Sequence, residues 1–281
     1  MTDIAITGAT GRLGGAVARR LAAAGVAQRL IVRDPARAPQ LPGASIAAAS
    51  YDDQVAARAA LQGVRVLFMV SAAESPVRVA EHAAFIESAA AVGVEHIVYT
   101  SFVGAAADSV FTLGRDHAAT EQLLQAMSVA TTLLRDNLYA DFVPLLAGED
   151  DVIRGPGGGG RVAVVAIDDI ADVAAAVLLN PGAHRGATYE LTGPQSLTLD
   201  ELAAALAVTS GRSFRYQPET VAEAYASRAH YGAPQYLLDA WVSTYTAIAA
   251  GEFAAVHDDV ERLTGHPATP LAAVLGRVRR P

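Results

Sequence analysis

A doubly wound α/β fold built on a parallel sheet is the class this sequence predicts, and three observations predict it. Short β-branched runs alternate with alanine-rich amphipathic runs through the first half of the chain, the pattern of successive βαβ units. The opening stretch ITGATGRLGGAVARRLAAAG, from Ile6 to Gly25, sets Gly8, Gly11 and Gly14 between a strand and a helix. The chain has 281 residues, 52% hydrophobic and 18% charged, which suffices for a large core and excludes a disordered polar chain.

Taken in order, strands are expected at Ile4 to Thr7, Leu30 to Arg33, Ser45 to Ala49, Val66 to Ser71, His96 to Ser101 and Thr131 to Arg135. Leu13, Val17 and Leu21 fall at i, i+4, i+8 and give the first helix one apolar stripe. Asp34-Pro35 reads as an N-cap followed by proline in the first turn. Asp53 caps a helix over Gln54 to Leu61, and Ser75-Pro76 introduces one over Val77 to Val92. After Arg135 come a helix-like Tyr139 to Ala147 and the glycine run Gly155 to Gly160, read as a mobile turn because no strand leads into it. A strand over Val162 to Ile167, a helix over Ile170 to Leu179 and a strand over Thr188 to Leu191 restore the first pattern. Thr198 and Glu201 form a capping box, Asp168-Asp169 and Asp258-Asp259 read as caps, and the tail from Pro218 is mostly helical. The expected organisation is a dinucleotide-binding Rossmann-type domain over 1–136, to which 162–192 returns. A smaller, discontinuous, mostly helical substrate domain occupies 137–281.

Composition excludes several functions. A net charge of −8 argues against nucleic acid and anionic membrane as partners, and Arg277-Val278-Arg279-Arg280 reads as a helix C-terminus favouring cations. Apolar stretches are interrupted well before the roughly 18 residues a bilayer span needs, so neither a signal peptide nor a membrane span is expected. Cysteine is absent, which removes disulfides and thiolate chemistry and makes a reducing cytoplasm the simplest home. All 21 basic residues are arginine. That excludes a P-loop lysine, a Schiff-base lysine and the tyrosine-lysine proton relay. The histidines show no ligand spacing, so no metal is expected.

Glycine is needed where the backbone takes φ > 0 or approaches a ligand closely, and a helix N-terminus offers N–H donors and partial positive charge to an anion. The triplet at the first strand-helix turn therefore predicts a dinucleotide, with Thr10 and Arg12 beside the pyrophosphate. Arg33, at the end of the second strand, suits a 2′-phosphate, so NADP(H) is favoured over NAD(H), with Asp34 spent as a cap.

The segments ITGATGRLGGAV, LIVRDPARA, VYTSF, HAATEQLL, TLLRDNLYADF and LTGHPATPLAA occur in the order found in NmrA-like atypical short-chain dehydrogenases. The chain resembles that family along essentially its whole length, above all its type 2 NAD(P)H:quinone oxidoreductases. The resemblance implies phosphate contacts at Gly8, Thr10, Gly11, Arg12, Leu13 and Gly14, a 2′-phosphate contact at Arg33, and cofactor contacts at Ser71, Thr100, Ser101 and Asn137. The family's acidic residue near adenine aligns with Ser50, which leaves Tyr51 as the adenine neighbour. The family's Asn-Gly-Trp-Tyr segment reads Asp136-Asn137-Leu138-Tyr139, so a pocket aromatic is missing.

The implied activity is hydride transfer from NADPH to a quinone or another planar conjugated acceptor. The alternative is a non-catalytic NADP(H)-sensing regulator. Tyr139 is the candidate substrate-facing aromatic. His117 aligns with a lysine or histidine of the family and either serves the nicotinamide ribose and developing oxyanion or pairs with Glu121 on a helix surface. Nothing in the sequence argues against a homodimer.

Overall fold

The computed structural model describes residues 3–278, so Arg279 and Arg280 of the basic stretch lie outside the described residues. In chain order the elements are β1 (Ile4–Thr7), α1 (Arg12–Ala23), β2 (Gln28–Val32), β3 (Ala44–Ala48), α2 (Gln54–Leu61), β4 (Val66–Met69), α3 (Arg78–Ala91), β5 (His96–Phe102), α4 (Thr112–Ala126) and β6 (Ala130–Asp136). There follow β7 (Val152–Gly155), β8 (Arg161–Val162), α5 (Ile167–Leu179), β9 (Thr188–Leu191), β10 (Leu197–Thr198), α6 (Leu199–Ser210), β11 (Arg215–Pro218), α7 (Val221–Arg228), α8 (Gln235–Ala250), α9 (Asp259–Thr264) and α10 (Leu271–Val278).

The main sheet has seven strands in the order β3-β2-β1-β4-β5-β6-β9. β1 lies parallel to both β2 and β4, with Ile4 opposite Gln28 on one side and Val66 on the other. Because both faces of this sheet are covered, its central strands are mostly apolar, and all four residues of β1 and of β4 are buried. Strand order reverses across β1 and β4, and that reversal opens a crevice beyond their carboxyl ends.

The chain divides into two compact units. One comprises the residues up to Ser101, Asp116–Arg135 and Asp168–Tyr189; the other comprises Phe102–Arg115, Asp136–Ile167 and the chain from Glu190. Residues 102–115 and 162–167, assigned from the sequence to the first domain, thus group with the second unit. In the first unit Leu13, Val17 and Leu21 are buried on α1, as their spacing predicts. Its core gathers Leu61, Leu67, Phe85, Ile97 and Tyr99 around the sheet. In the second, Phe102, Phe111 and Phe253 meet with ring centroids 5.0 to 5.4 Å apart at the centre of its core. Two small sheets, antiparallel β10-β8 and parallel β11-β7, complete that unit.

Local capping follows the sequence in three places and departs from it in three. Asp34 accepts from Ala36 N–H and Asp53 from Ala56 N–H, each at 3.0 Å, and Thr198 with Glu201 closes a capping box on α6. Ser75 does not cap α3, whose N-cap is Val77 with no side-chain bond. Asp168 and Asp169 lie inside the first turn of α5, where their charge suits the helix dipole, and the carboxylate that receives Ile167 N–H is Asp141, at 2.9 Å. Asp258 makes no side-chain cap, and Asp259 accepts from Glu190 N–H at 2.8 Å. The helix expected over Tyr139 to Ala147 is a 3-10 segment, Ala140–Leu146, because Pro144 removes an N–H that an α-helix would use.

The glycine run joins β7 to β8, and packing requires three of its glycines. A Cβ would stand 2.4 Å from the Tyr245 ring at Gly155, 2.4 Å from Leu199 Cδ1 at Gly157 and 2.1 Å from Ile248 O at Gly160. The expectation that no strand leads into this run is corrected by β7, and the ends of the turn are packed, while a Cβ on Gly158 or Gly159 at its tip would meet nothing within 4 Å.

Candidate functional site

The crevice at the carboxyl ends of β1 and β4 is a cleft of about 470 Å³ within the first unit. Gly8, Thr10, Arg33, Tyr51 and Ser71, all singled out in the sequence, line it together. Gly8 takes φ +65°, a region costly for side-chain-bearing residues. A Cβ on Gly14 would lie 2.4 Å from Gly8 O and 2.6 Å from Thr7 O, so only glycine lets α1 begin this close to β1. Gly11 is the N-cap of α1 and makes no side-chain bond, which leaves the first-turn N–H groups of Arg12, Leu13 and Gly14 for an anion. The cradle therefore fits a diphosphate.

Arg33 is exposed on the cleft wall, and its guanidinium has no carboxylate partner among the described residues. The nearest acidic residue in sequence, Asp34, is committed to Ala36. A cation so placed favours a phosphate over a bare ribose. Tyr51 turns its ring to the cleft and stacks on Phe85 at 4.4 Å, while its hydroxyl donates to Val70 O at 2.5 Å. Burial pushes the Tyr51 phenol up from its usual range, so it stays protonated. Ser50, in the place of an acidic residue in the family, donates to Asp52 at 2.5 Å, and Asp52 also lines the cleft.

The other nominated residues work behind the wall. Thr100 Oγ1 accepts from Ser71 N–H at 2.8 Å, and Ser101 donates to Glu121 at 2.5 Å. Glu121 in turn receives Arg135 at 2.8 and 2.6 Å. The surface pairing considered for His117 with Glu121 is therefore not formed. His117 is buried, with Nε2 3.1 Å from Arg78 and Nδ1 3.0 Å from the Tyr99 hydroxyl. Arginine can only donate, so Nε2 carries the lone pair and Nδ1 the hydrogen. Burial, followed by the Arg78 charge and then His82, holds the imidazole well below its ordinary pKa.

Two residues that no sequence motif marked complete this arrangement. His82 Nε2 accepts from Ala72 N–H at 2.9 Å, and Arg78 Nε donates to Ala72 O at 2.8 Å. Thr7 Oγ1 accepts from Val70 N–H at 2.9 Å. The strand end 70–72, which lines the cleft, is thus held by four side chains drawn from β1, α3 and β5. Burial, then the Arg78 charge, lowers the His82 pKa to about 3, so the clamp is made by a neutral imidazole.

Asn137 and Tyr139 belong to the second unit. Asn137 is fully buried; its amide donates to Phe253 O at 3.0 Å and accepts from Leu138 N–H at 2.8 Å. The Tyr139 hydroxyl donates to Asp136 at 2.8 Å, and its ring is tilted against Phe142 at 5.6 Å. Phe102, the last residue of β5, and Val103 after it are core residues. No group of three potential metal ligands occurs among the described residues, and no helix there is long and apolar enough to cross a membrane.

Comparison with known proteins agrees with this geometry. Quinone oxidoreductase 2 of Escherichia coli (strain K12) is 36% identical over 276 residues, 96% of this chain and 96% of its own. An NAD(P)H azoreductase of Xenophilus azovorans is 34% identical over 274 residues, 96% of this chain and 95% of its own. The solved structure of an NADPH-dependent quinone oxidoreductase of Escherichia coli complexed with NADPH matches with a TM-score of 0.89 at 34% identity, covering 99% of this chain and 100% of that one. The profile of the NmrA-like family matches residues 1–231, and the chain belongs to the NmrA-like family.

Proposed function

We infer that this protein is an NADPH-dependent oxidoreductase that reduces a quinone or similar planar conjugated acceptor. The observation that carries the reading is the cleft itself: a glycine cradle beyond β1 and the exposed Arg33 beyond β2, with Asp34 turned away as a cap. Relatives similar over nearly the whole chain are named quinone oxidoreductase and azoreductase.

When bound, the dihydronicotinamide supplies a hydride. This chain's residues hold the dinucleotide: Gly8, Thr10, Gly11, Arg12, Leu13 and Gly14 at the diphosphate, Arg33 at the 2′-phosphate, Tyr51 at the adenine and Ser71 along the cleft wall. Thr100, Ser101 and His117 are positioning residues that fix the cleft's strands and loop. Asn137 fixes the backbone of its own segment, and Tyr139 offers its ring to the acceptor. With no lysine in the chain, no tyrosine-lysine relay protonates a product. A quinone suits this deficit, since its reduced anion is stabilised by its own ring and takes a proton from water. Positioning then supplies most of the rate. The cysteine-free composition suits the cytoplasm.

The test is oxidation of NADPH over a panel of quinones and azo compounds. Steady consumption supports the enzyme; tight NADPH binding without turnover of any acceptor would replace it with a cofactor-sensing protein.

A further inference from the structure

The second unit holds a cavity of about 590 Å³, within the roughly 300–1,000 Å³ typical of small-ligand sites. Leu145, Leu146 and Val152 give it apolar walls, and Tyr231 and Trp241, edge to face at 5.8 Å, close another side. Both of its arginines are already neutralised: Arg154 holds Asp150 at 2.9 and 2.5 Å, and Arg228 donates to Glu219 at 3.1 Å. The cavity therefore suits an uncharged, largely apolar molecule.

One nucleophile stands in this lining. His230 Nδ1 lies 2.8 Å from Ser227 O, a carbonyl that only accepts, so in the neutral ring Nδ1 carries the hydrogen and Nε2 the lone pair. Nε2 makes no hydrogen bond among the described residues. Tyr231 packs against the imidazole with ring centroids 3.9 Å apart, whereas the Nε2 lone pair lies in the ring plane. His230 is also exposed, while His82, His96 and His117 are buried. The neighbouring polar groups do not compete with it. The arginines stay protonated, Thr244 and Ser227 donate to Ala240 O and Ala224 O at 2.9 and 3.2 Å, and burial pushes the Tyr245 phenol up. The side chains that electrophiles attack first are missing altogether, since the chain has neither cysteine nor lysine.

We propose that His230 is a covalent modification site for an apolar α,β-unsaturated aldehyde, which the cavity gathers before it reacts. The Nε2 lone pair forms a C–N bond at the β-carbon, and the C=C π pair moves onto the α-carbon and carbonyl oxygen as an enolate. The α-carbon then takes a proton from water and Nδ1 gives its proton to solvent. The product is a neutral alkylated imidazole bearing a saturated aldehyde, and no oxidant or reductant is consumed. The Trp241 indole N–H and the Tyr231 hydroxyl, which make no hydrogen bond among the described residues, are donors for the oxygen on which charge gathers. Retention of the aldehyde beside Nε2 distinguishes His230 from His257, which is equally exposed but followed by Asp258 and Asp259 and lies outside the cavity. The site does not depend on the oxidoreductase activity.

The full chain, without any nicotinamide dinucleotide, is incubated with conjugated nonenal or with acrolein, and the adducts are fixed with borohydride and mapped by mass spectrometry. Fragment spectra are needed, because cleavage at arginine leaves His230 and His257 in one peptide, Ala229 to Arg262. The first nonenal adduct is expected on His230, formed about tenfold or more faster than on any other histidine. Its rate should saturate with nonenal concentration and fall when nonanol, which has the chain but no electrophilic carbon, is added. Acrolein, which lacks the chain, should show no such preference. His230→Gln should remove the fast adduct and leave the slow ones. Leu145→Asp, at a position 75% exposed, should abolish the saturation with His230 still in place. Comparable rates at His230 and His257, a rate that rises linearly without saturating, or an equal preference shown by acrolein overturns the proposal.

Discussion

At the scale of single residues, charge placement governs cofactor choice and hydrogen-bond commitment governs chemistry. Arg33 has no carboxylate partner among the described residues, so its removal exposes no buried charge and should change recognition without unfolding the protein. Hydrogen bonds to charged groups contribute roughly 1.5–3 kcal/mol, so Arg33→Ala should weaken NADPH about 10- to 100-fold and leave NADH unchanged. Calorimetric titration of both cofactors checks this, and an unaltered affinity ratio would remove Arg33 from the site. Tyr139 makes a contrasting case, because its hydroxyl proton is committed to Asp136. Tyr139→Phe should cost roughly 1.5–3 kcal/mol of stability and leave kcat within about twofold; a tenfold fall would place the hydroxyl in the proton transfer.

At the scale of elements, the cleft depends on how closely α1 approaches β1. Gly14→Ala drives a methyl to within 2.4 Å of Gly8 O, a backbone atom that cannot move without opening the turn. Overpacking of this kind costs roughly 1–3 kcal/mol, and the shifted helix start should also abolish measurable NADPH binding. Gly182→Ala is the matched control: a Cβ there meets nothing within 4 Å and no positive φ is involved. Equal thermal stability and cofactor affinity in the two variants would refute the close-packing account. These short-range features were legible from sequence, as were the six first strands and the caps at Asp34, Asp53 and Thr198, because each depends on neighbours a few residues away. What escaped depends on distant partners. Nothing local marks His82 and Arg78 as a clamp on Ala72, and β7 and β11 are four-residue strands that exist only because they pair with each other across about sixty residues. The misread caps at Asp168 and Asp259 have the same origin: their side chains are taken by Arg20 in one case and by Glu190 N–H in the other.

At the scale of the whole molecule, three buried histidines make the fold sensitive to mild acid. His82 and His96 are held down to about 3 and about 4, and His117 well below its ordinary value, burial being the first cause in each case. Above the unfolded imidazole pKa of roughly 6.5 both states are neutral and stability does not depend on these groups. Below it the unfolded chain takes up protons that the folded chain refuses, so stability falls continuously as pH drops from about 6.5 towards the folded values near 3 to 4. For His82 alone the full shift corresponds to roughly 5 kcal/mol, a large share of a typical 5–15 kcal/mol total. The carboxylates with lowered pKa, such as Glu201 and Glu223, act in the same direction but only once pH falls below the ordinary carboxylate range, so the two contributions separate. Urea unfolding at pH 7, 6 and 5 should therefore show a steady loss of stability before any carboxylate protonates. His82→Gln, which cannot titrate, should flatten that slope. A wild-type midpoint constant from pH 7 to 5 would mean that the imidazoles accept protons in place, and the clamp on Ala72 would then have to be held by Arg78 alone.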